Sequence, residues 1–426
     1  MRNEKLALFG GPKVIKKTFK RYNSIGKEEI LAANKVLKKG VLSDFIAGKN
    51  SKFLGGSKVR EFERYCAKYF KVKYAVTVNS WTSGLVCAVG AIDIEPGDEI
   101  ILSPWTMSAC AASILHWGAI PIFADIEKET FNLDPKSIIK NISPKSKAIL
   151  AIDIFGHSCN IDKIKKIADD NNLKVITDSA QAPGSKNKGR VTGTLGDIGG
   201  FSLNYHKHIH TGEGGIVVTN NDYYADKIRL IRNHAESAAE GSGATNYSNL
   251  IGYNFRLGEI ESAIGIEQLK KLDHLVQIKR KNVDQLNKHL KDLNGIRLPI
   301  VHKNNYHSYY IYPLILDLGY LKLSRDKIVK ALEAEGVQGL MRGYVNLHSL
   351  PTFKNKIAYG SKGFPWTYEN SRQNISYKKG ICPVAEKLHE ETFLGLEICD
   401  FDLLDNDIEK IGLAFKKVWA NLDQLY

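Results

Sequence analysis

The 426-residue chain has no apolar run approaching the ~20 residues that would cross a bilayer. Its opening, MRNEKLALFGG, lacks an apolar stretch followed by a small-residue cleavage site, so the chain reads as cytoplasmic, with no membrane partner. The six cysteines, Cys66, Cys87, Cys110, Cys159, Cys382 and Cys399, form no CxxC and no paired spacing. Neither a disulfide framework nor a zinc knuckle is indicated, and the thiols are expected to be reduced and mostly buried. Internal repeats and low-complexity tracts are missing too. Acids are in the minority, 46 against 60 Lys and Arg, for a formal charge of +14. The excess is spread: Lys16-Lys17, Lys38-Lys39 and Lys270-Lys271 stand among acids on amphipathic helices, which marks solvated faces and no nucleic-acid module.

What is present is a chain of 43% hydrophobic and 25% charged residues, long enough for one large domain and one smaller one. An arm comes first, then a helix over 27–39 whose apolar positions Ile30, Leu31, Ala33, Val36 and Leu37 recur at helical spacing. A polar, glycine-bearing stretch follows at 40–56, of a length that is often functional. From Tyr74 to Thr219 short β-branched runs (75–78, 99–102, 121–124, 148–152, 174–177) alternate with helical stretches, and 198–203 and 216–219 complete the set. That rhythm predicts an α/β fold with a mainly parallel sheet covered by helices on both faces. A helix is expected over 222–233, a mobile loop over 235–249 and a long helix over 259–275. Beyond them a strand at 309–316 and helices at 283–293, 324–335 and 405–422 predict a smaller C-terminal α/β domain. The expected division is an arm at 1–24, a large domain at 25–275 and a small domain at 276–426.

The chemistry centres on GGFSLNYHKHIHTGEGGIVVTN (199–220), which sets Lys207 between an apolar approach and a turn of Gly212, Glu213, Gly214 and Gly215. A lysine amine attacks an aldehyde when its ammonium form is disfavoured, or when the imine it makes is shielded from water. Pyridoxal phosphate is the usual aldehyde. It requires a carboxylate for its pyridine nitrogen, donors for its phosphate and a surface against its ring. Asp178 ends a short apolar run, the place where α/β sheets bind ligands, and is the candidate carboxylate. Asn79, Ser80 and Thr82 precede a helix-like run at 84–91 and can receive a phosphate there, with Ser202 as a further hydroxyl. On an extended chain, His206, His208 and His210 would share one face, which is also a metal pattern. No carboxylate or cysteine nearby completes it, and no metal is expected.

Five blocks in order, VNSWTSG (78–84), GDEII (97–101), DSAQA (178–182), FSLNYHKHIHTGEGG (201–215) and GYNFRLGEIESAIGIEQLKKL (252–272), resemble the DegT/StrS-type sugar aminotransferases. That family has the aspartate aminotransferase fold, fold type I. The resemblance implies a seven-stranded large domain, Lys207 and Asp178 as the catalytic pair, and Ser80, Trp81, Thr82, Met107, Gln181, Ser202 and Asn254 as further cofactor contacts. This chain has Met107 where the family more often has an aromatic. Met107, Trp105 and His157 are therefore all open as the side chain over the pyridine ring. His157, His206, Arg256 and Tyr344 are implied on the substrate side. Asn254 and Arg256 are implied to reach a second subunit's cofactor phosphate, making a homodimer with shared active sites. From the residues alone, Arg256 fits an internal salt bridge equally well. Residues 40–56 are implied to help cover the site, and loops 340–344 and 382–386 to enclose substrate. Tyr344-Val345-Asn346 replaces the family's tyrosine-proline turn.

The implied reaction is a two-stage amino transfer. An amino acid, glutamate by expectation, gives up its amine and leaves pyridoxamine phosphate; Lys207 moves the α proton, and the steps run backward onto a ketone. The implied acceptor is a nucleotide-linked 3- or 4-keto-hexose, with free keto-inositols and keto sugar acids as alternatives. Deoxysugar dehydratases of this family replace the lysine by histidine, and a non-catalytic regulator would have lost Asp178 or Lys207; this chain keeps both.

Overall fold

The apolar and β-branched runs between residues 74 and 219 fold as strands in a computed structural model, which describes residues 4–48, 50–242 and 246–426. These are β1 (Tyr74–Val78), β2 (Glu99–Leu102), β3 (Ile120–Phe123), β4 (Ser146–Ile152), β5 (Lys174–Asp178), β6 (Ile198–Ser202) and β7 (Gly215–Thr219). They pair in the order β1-β7-β6-β5-β4-β2-β3 as one seven-stranded sheet. Only β7 runs against its neighbours, so six strands point one way. Strands buried on both faces need apolar side chains throughout, and β2 and β3 are buried at every position. In β7 successive residues serve different cores: Val217 joins the larger one, Ile216 and Val218 the one built by Phe62, Phe70, Ile266 and Leu269.

A second sheet of four antiparallel strands takes the order β8-β9-β11-β10, with β8 (Ile296–Arg297), β9 (Tyr312–Leu316), β10 (Leu340–Met341) and β11 (Phe393–Leu396). The arm belongs to this part of the molecule, since Leu6, Ile15 and Phe19 are buried in the same core as Leu314, Leu396 and Phe415. A buried ion pair fixes it there. Lys417 and Glu335 meet at 2.9 Å with side chains 3% and 0% exposed. Glu335 also accepts the amides of Ala7 and Val14, and Lys417 donates to the carbonyl of Pro12.

The structure corrects four expectations about elements. The helices expected at 259–275 and 283–293 are one 32-residue helix, Glu259–Leu290, which passes through residue 275 without a break. Residues 276–282 contain no glycine or proline, and Val276, Lys279 and Asn282 extend the buried stripe, so nothing stops the helix. The mobile loop expected at 235–249 begins with a helix, Ala235–Ser242, whose Ala235, Ala238 and Ala239 pack with Leu230 and Leu250. The strand expected from Tyr309 starts at Tyr312, because Tyr309 adopts φ 55° and turns the chain. Helix Lys27–Lys39 forms, but Glu29 and Val36 are its buried residues while Ile30, Leu31 and Leu37 are more than half exposed. All six cysteines are free and buried. Among the described residues no helix is long and apolar enough to cross a membrane.

Removing one partner of a buried ion pair leaves the other uncompensated. Lys417→Met is therefore expected to cost about 3–5 kcal/mol in urea unfolding and to make residues 4–24 susceptible to limited proteolysis.

Candidate active site

Six parallel strands bring six carboxyl ends to one sheet edge, and most of the candidate residues lie in the loops that leave them. Together with Tyr310 and Tyr344 from beyond the sheet, these loops line a cavity of about 230 Å³ containing Ser80, Trp81, Thr82, Met107, Asp178, Gln181, Ser202, His206 and Lys207. Helix Trp81–Ala91 begins at its wall. Ser80 caps that helix by accepting the Ser83 amide at 3.1 Å. Amides of a first turn have no carbonyl to meet inside their own helix, so those of Trp81 and Thr82 can serve an anion.

Lys207 is 7% exposed, and its Nζ stands 4.3 Å from the centre of the Tyr310 ring. Burial disfavours the ammonium form and lowers its pKa to about 8, against the opposing pull of Asp178, Cys399 and Asp400. Asp178, the last residue of β5, is equally withdrawn from water. Its carboxylate accepts the indole N–H of Trp81 and the thiol of Cys110, both at 2.8 Å. Gln181 accepts the Phe155 amide and donates to the Tyr344 hydroxyl at 3.2 Å, and Ser202 accepts the Asn204 amide.

The segment around Lys207 is not extended. The Lys207 amide returns to the Asn204 carbonyl at 3.0 Å and the Thr211 amide to that of Leu203, closing a turn. The three histidines consequently diverge. His208 meets the Ser308 carbonyl at 2.9 Å, His210 accepts the Gly212 amide, and His206 lines the cavity beside Tyr205 and Tyr310. The shared face that a metal pattern needs does not form.

Several other candidates lie elsewhere. His157 is 2% exposed and packs against the rings of His302 and His307, with Asn132 as its hydrogen-bond partner. The chain reverses at Phe155 (φ 58°) and Gly156 (φ 95°), which carries His157 out of the pocket lining. Trp105 is fully buried among Phe131, Phe155 and Phe393. Of the three side chains open as a ring cover, only Met107 lines the cavity. Asn254 and Arg256 are bonded to each other at 2.6 Å and are not part of the lining. Residues 40–56 do not line it either: Phe45 lies against Arg232 and Arg256, and Asn233 donates to the carbonyls of Ile46 and Phe53; Lys49 is outside the described residues. Loop 382–386 is also corrected. Its short helix is capped by Asp125, Glu386 is bonded to His348, and Pro383 and Val384 line a different cavity beside Leu318.

Two positions beside the candidate residues escaped the sequence: Tyr310 in the cavity lining and Cys110 against Asp178. Tyr310 reaches the pocket because its amide bonds the Phe155 carbonyl at 2.8 Å, a pairing across more than a third of the chain that no local pattern announces. Close approach makes Gly156 obligatory there, since a Cβ would stand 2.7 Å from Ser308 Oγ and 2.8 Å from the Tyr309 nitrogen. Cys110 stands on the first turn of helix Ala109–His116, and its Sγ lies 3.1 Å from the Thr106 hydroxyl, a contact that spacing alone does not announce.

A family profile, that of the DegT/DnrJ/EryC1/StrS aminotransferases, matches residues 33–392. The chain belongs to that family. It is similar to the spore coat polysaccharide biosynthesis protein SpsC of Bacillus subtilis, 33% identical over 358 residues that cover 83% of this chain and 89% of that one. It is also similar to the GDP-perosamine synthase of Vibrio cholerae, 31% identical over 329 residues, 77% and 87% of the two chains. The crystal structure of DesI in the presence of its TDP-sugar product superposes with a TM-score of 0.81 at 25% identity, covering 99% of this chain and 97% of that one. The family is one of pyridoxal phosphate-dependent aminotransferases, sugar aminotransferases among them, and this chain is an enzyme of it.

The residues present fit that cofactor. A buried amine, a buried carboxylate and a hydroxyl-bearing helix N-terminus converge on one cavity. Lys207 must be neutral to attack an aldehyde, so uptake of pyridoxal phosphate by the apoprotein, followed by visible absorbance, is expected to rise with pH through about 8. The His157 cluster gives a second pH dependence. Burial, and then the charge of His302, hold His157 down to about 4, against ~6.5 when unfolded. A depressed folded value means the contribution is complete above about pH 6.5 and is lost as pH falls toward 4. Urea midpoints should drop across that window in the wild type and drop less in His157→Gln.

Proposed function

We propose that this protein is a homodimeric pyridoxal phosphate-dependent aminotransferase that moves an amino group from L-glutamate onto a nucleotide-linked 3- or 4-keto-hexose, for amino-sugar or surface-glycan synthesis. The observation that carries the reading is the pairing of Lys207 with Asp178 in one water-poor cavity. Bound there, pyridoxal phosphate supplies an electron sink that makes the α proton of an amino acid removable.

Each residue then has a task. Lys207 Nζ, with its pKa lowered to about 8, is poised near neutrality to take a proton from the donor's α carbon and to return one in the opposite direction. Asp178 receives the protonated ring nitrogen. The first turn of helix Trp81–Ala91, with Ser80 and Thr82 and with Ser202 opposite, holds the phosphate. Met107, 63% exposed where the cavity opens, covers the ring. His206 and Tyr344 border the space left for the keto sugar.

Two relatives support a nucleotide sugar: one is named for a GDP-sugar, and the other was crystallised with a TDP-sugar product. The dimer is supported by a surface that one chain leaves uncovered. Ile30, Leu31 and Leu37 on the first helix, then Val41, Leu42, Ile46 and Leu54, are all more than a third exposed. The hydrogen-bonded pair Asn254 and Arg256, outside its own chain's cavity, is the natural group to complete a second one.

The test is spectroscopic. Purified protein loaded with pyridoxal phosphate should show a visible band that glutamate converts to the pyridoxamine form, with Lys207→Ala unable to make the conversion; a panel of nucleotide ketosugars should then restore the band. Failure of the wild type to take up cofactor sinks the reading, and restoration only by free keto-inositols or keto sugar acids moves the substrate class. For the shared site, Lys207→Ala and Arg256→Ala are each expected to be inactive alone and to regain activity when their subunits are mixed.

A further inference from the structure

Asp178 is held by more than its strand. Oδ1 accepts Trp81 Nε1–H at 2.8 Å and the Ala180 amide at 3.0 Å, while Oδ2 accepts the Cys110 thiol at 2.8 Å. A carboxylate offers about four lone-pair sites, so three are filled and the fourth, on Oδ2, remains. Neither side-chain donor is free to leave. The Trp81 ring lies on two glycines: a Cβ at Gly200 would stand 2.0 Å from Trp81 Cζ3 and 2.3 Å from the Ile216 carbonyl, and one at Gly84 would stand 2.7 Å from Trp81 Cε3. Cys110 is fully buried on the first turn of helix Ala109–His116. Burial, then the charge of Asp178, push its thiol well above the ordinary range, so it keeps its proton and stays a donor. Thr106 supports it from the other side.

We propose that Trp81 and Cys110 are positioning residues that clamp the Asp178 carboxylate from two sides and leave Oδ2 one acceptor site for a protonated aromatic ring nitrogen in the pocket. The clamp rests on the pyridoxal phosphate reading above. Its logic is geometric. A carboxylate that can rotate offers either oxygen; one gripped at both oxygens offers a single direction, and the ring nitrogen meets it without reorganisation. Cys110 contributes without touching the ring, through the oxygen that does.

The measurement is the affinity of the apoprotein for pyridoxal phosphate, by absorbance titration, in wild type, Trp81→Phe, Cys110→Val and Cys110→Ser. It is accompanied by the pH at which the bound cofactor's visible band titrates. Trp81→Phe and Cys110→Val should each bind about tenfold more weakly, as expected for the loss of a hydrogen bond to a charged group. Cys110→Ser restores a donor and should come within about threefold of wild type. The band's titration should move in Cys110→Val and return in Cys110→Ser. Affinity and titration unchanged in Cys110→Val, or equally altered in Cys110→Ser, would overturn the clamp. The Cys110 variants decide the matter by themselves should Trp81→Phe fail to fold. A wild type that takes up no cofactor at all identifies the parent reading as the failure, and the clamp falls with it.

Discussion

An amine and a carboxylate held out of water in one small cavity set the terms for everything around them. Burial holds the amine's pKa down to about 8, and both groups are held by specific neighbours. Lys207 stands over the face of Tyr310, whose ring attracts a cation and welcomes the neutral amine's methylene chain. Asp178 is surrounded by three donors. Much of the local backbone follows from these needs. The turn at 203–211 closes so that Lys207 and His206 reach the cavity while His208 and His210 leave it. Gly200 carries no side chain because the Trp81 ring occupies that space.

The seam between the two sheets holds the cavity's far wall. Trp105 follows β2, Phe155 follows β4, Phe393 opens β11, and with Phe131 they form a buried aromatic cluster. Tyr344 joins this cluster through Trp105 and Phe155 while its hydroxyl accepts from Gln181. The backbone is stitched at the same place, with Trp105 bridged to Asn346 and the Leu347 amide bonded to the Pro104 carbonyl. A dry aromatic seam of this kind resists sliding, because rings that interlock edge to face have few alternative packings. Tyr344 and Tyr310 therefore meet the cavity as fixed walls, although they come from beyond the large sheet.

What the sequence revealed depended on how local the determining physics is. Strand spacing, the acid at the end of β5, the lysine between its glycines and the capping serine of helix Trp81–Ala91 are patterns of a few residues, and each appears where it was expected. The strand and helix ends shifted where one residue's φ or an uninterrupted stripe decided, as at Tyr309 and across 276–282. His157 was misplaced because a glycine before a histidine signals a turn but not its direction; Phe155 and Gly156 together send the ring toward His302 and His307. Tyr310 was invisible because its position depends on residues 155 and 156. The exposed face of helix Lys27–Lys39 shows the limit of periodicity: it identifies an apolar stripe without saying which molecule covers it.

Charge gives the last argument about assembly. The chain carries +14, yet among the described residues lining the cavity Lys207 is the only lysine or arginine, against the acids Asp178 and Glu213. His206 adds nothing at neutral pH, since burial and then the charge of Lys207 hold it down to about 4. A helix N-terminus is worth roughly half a positive charge, which is less than a phosphate requires, and a nucleotide sugar would bring two phosphates more. An anionic cofactor and an anionic substrate would thus meet a deficit of positive charge inside a single chain's cavity. Arg256, a planar guanidinium already oriented by Asn254 at 2.6 Å and outside its own cavity, is suited to that deficit when supplied by a second copy. Under the homodimeric reading, then, the apolar face on helix Lys27–Lys39 and the charge balance of the active site are two sides of one requirement: covering the face brings in the cation.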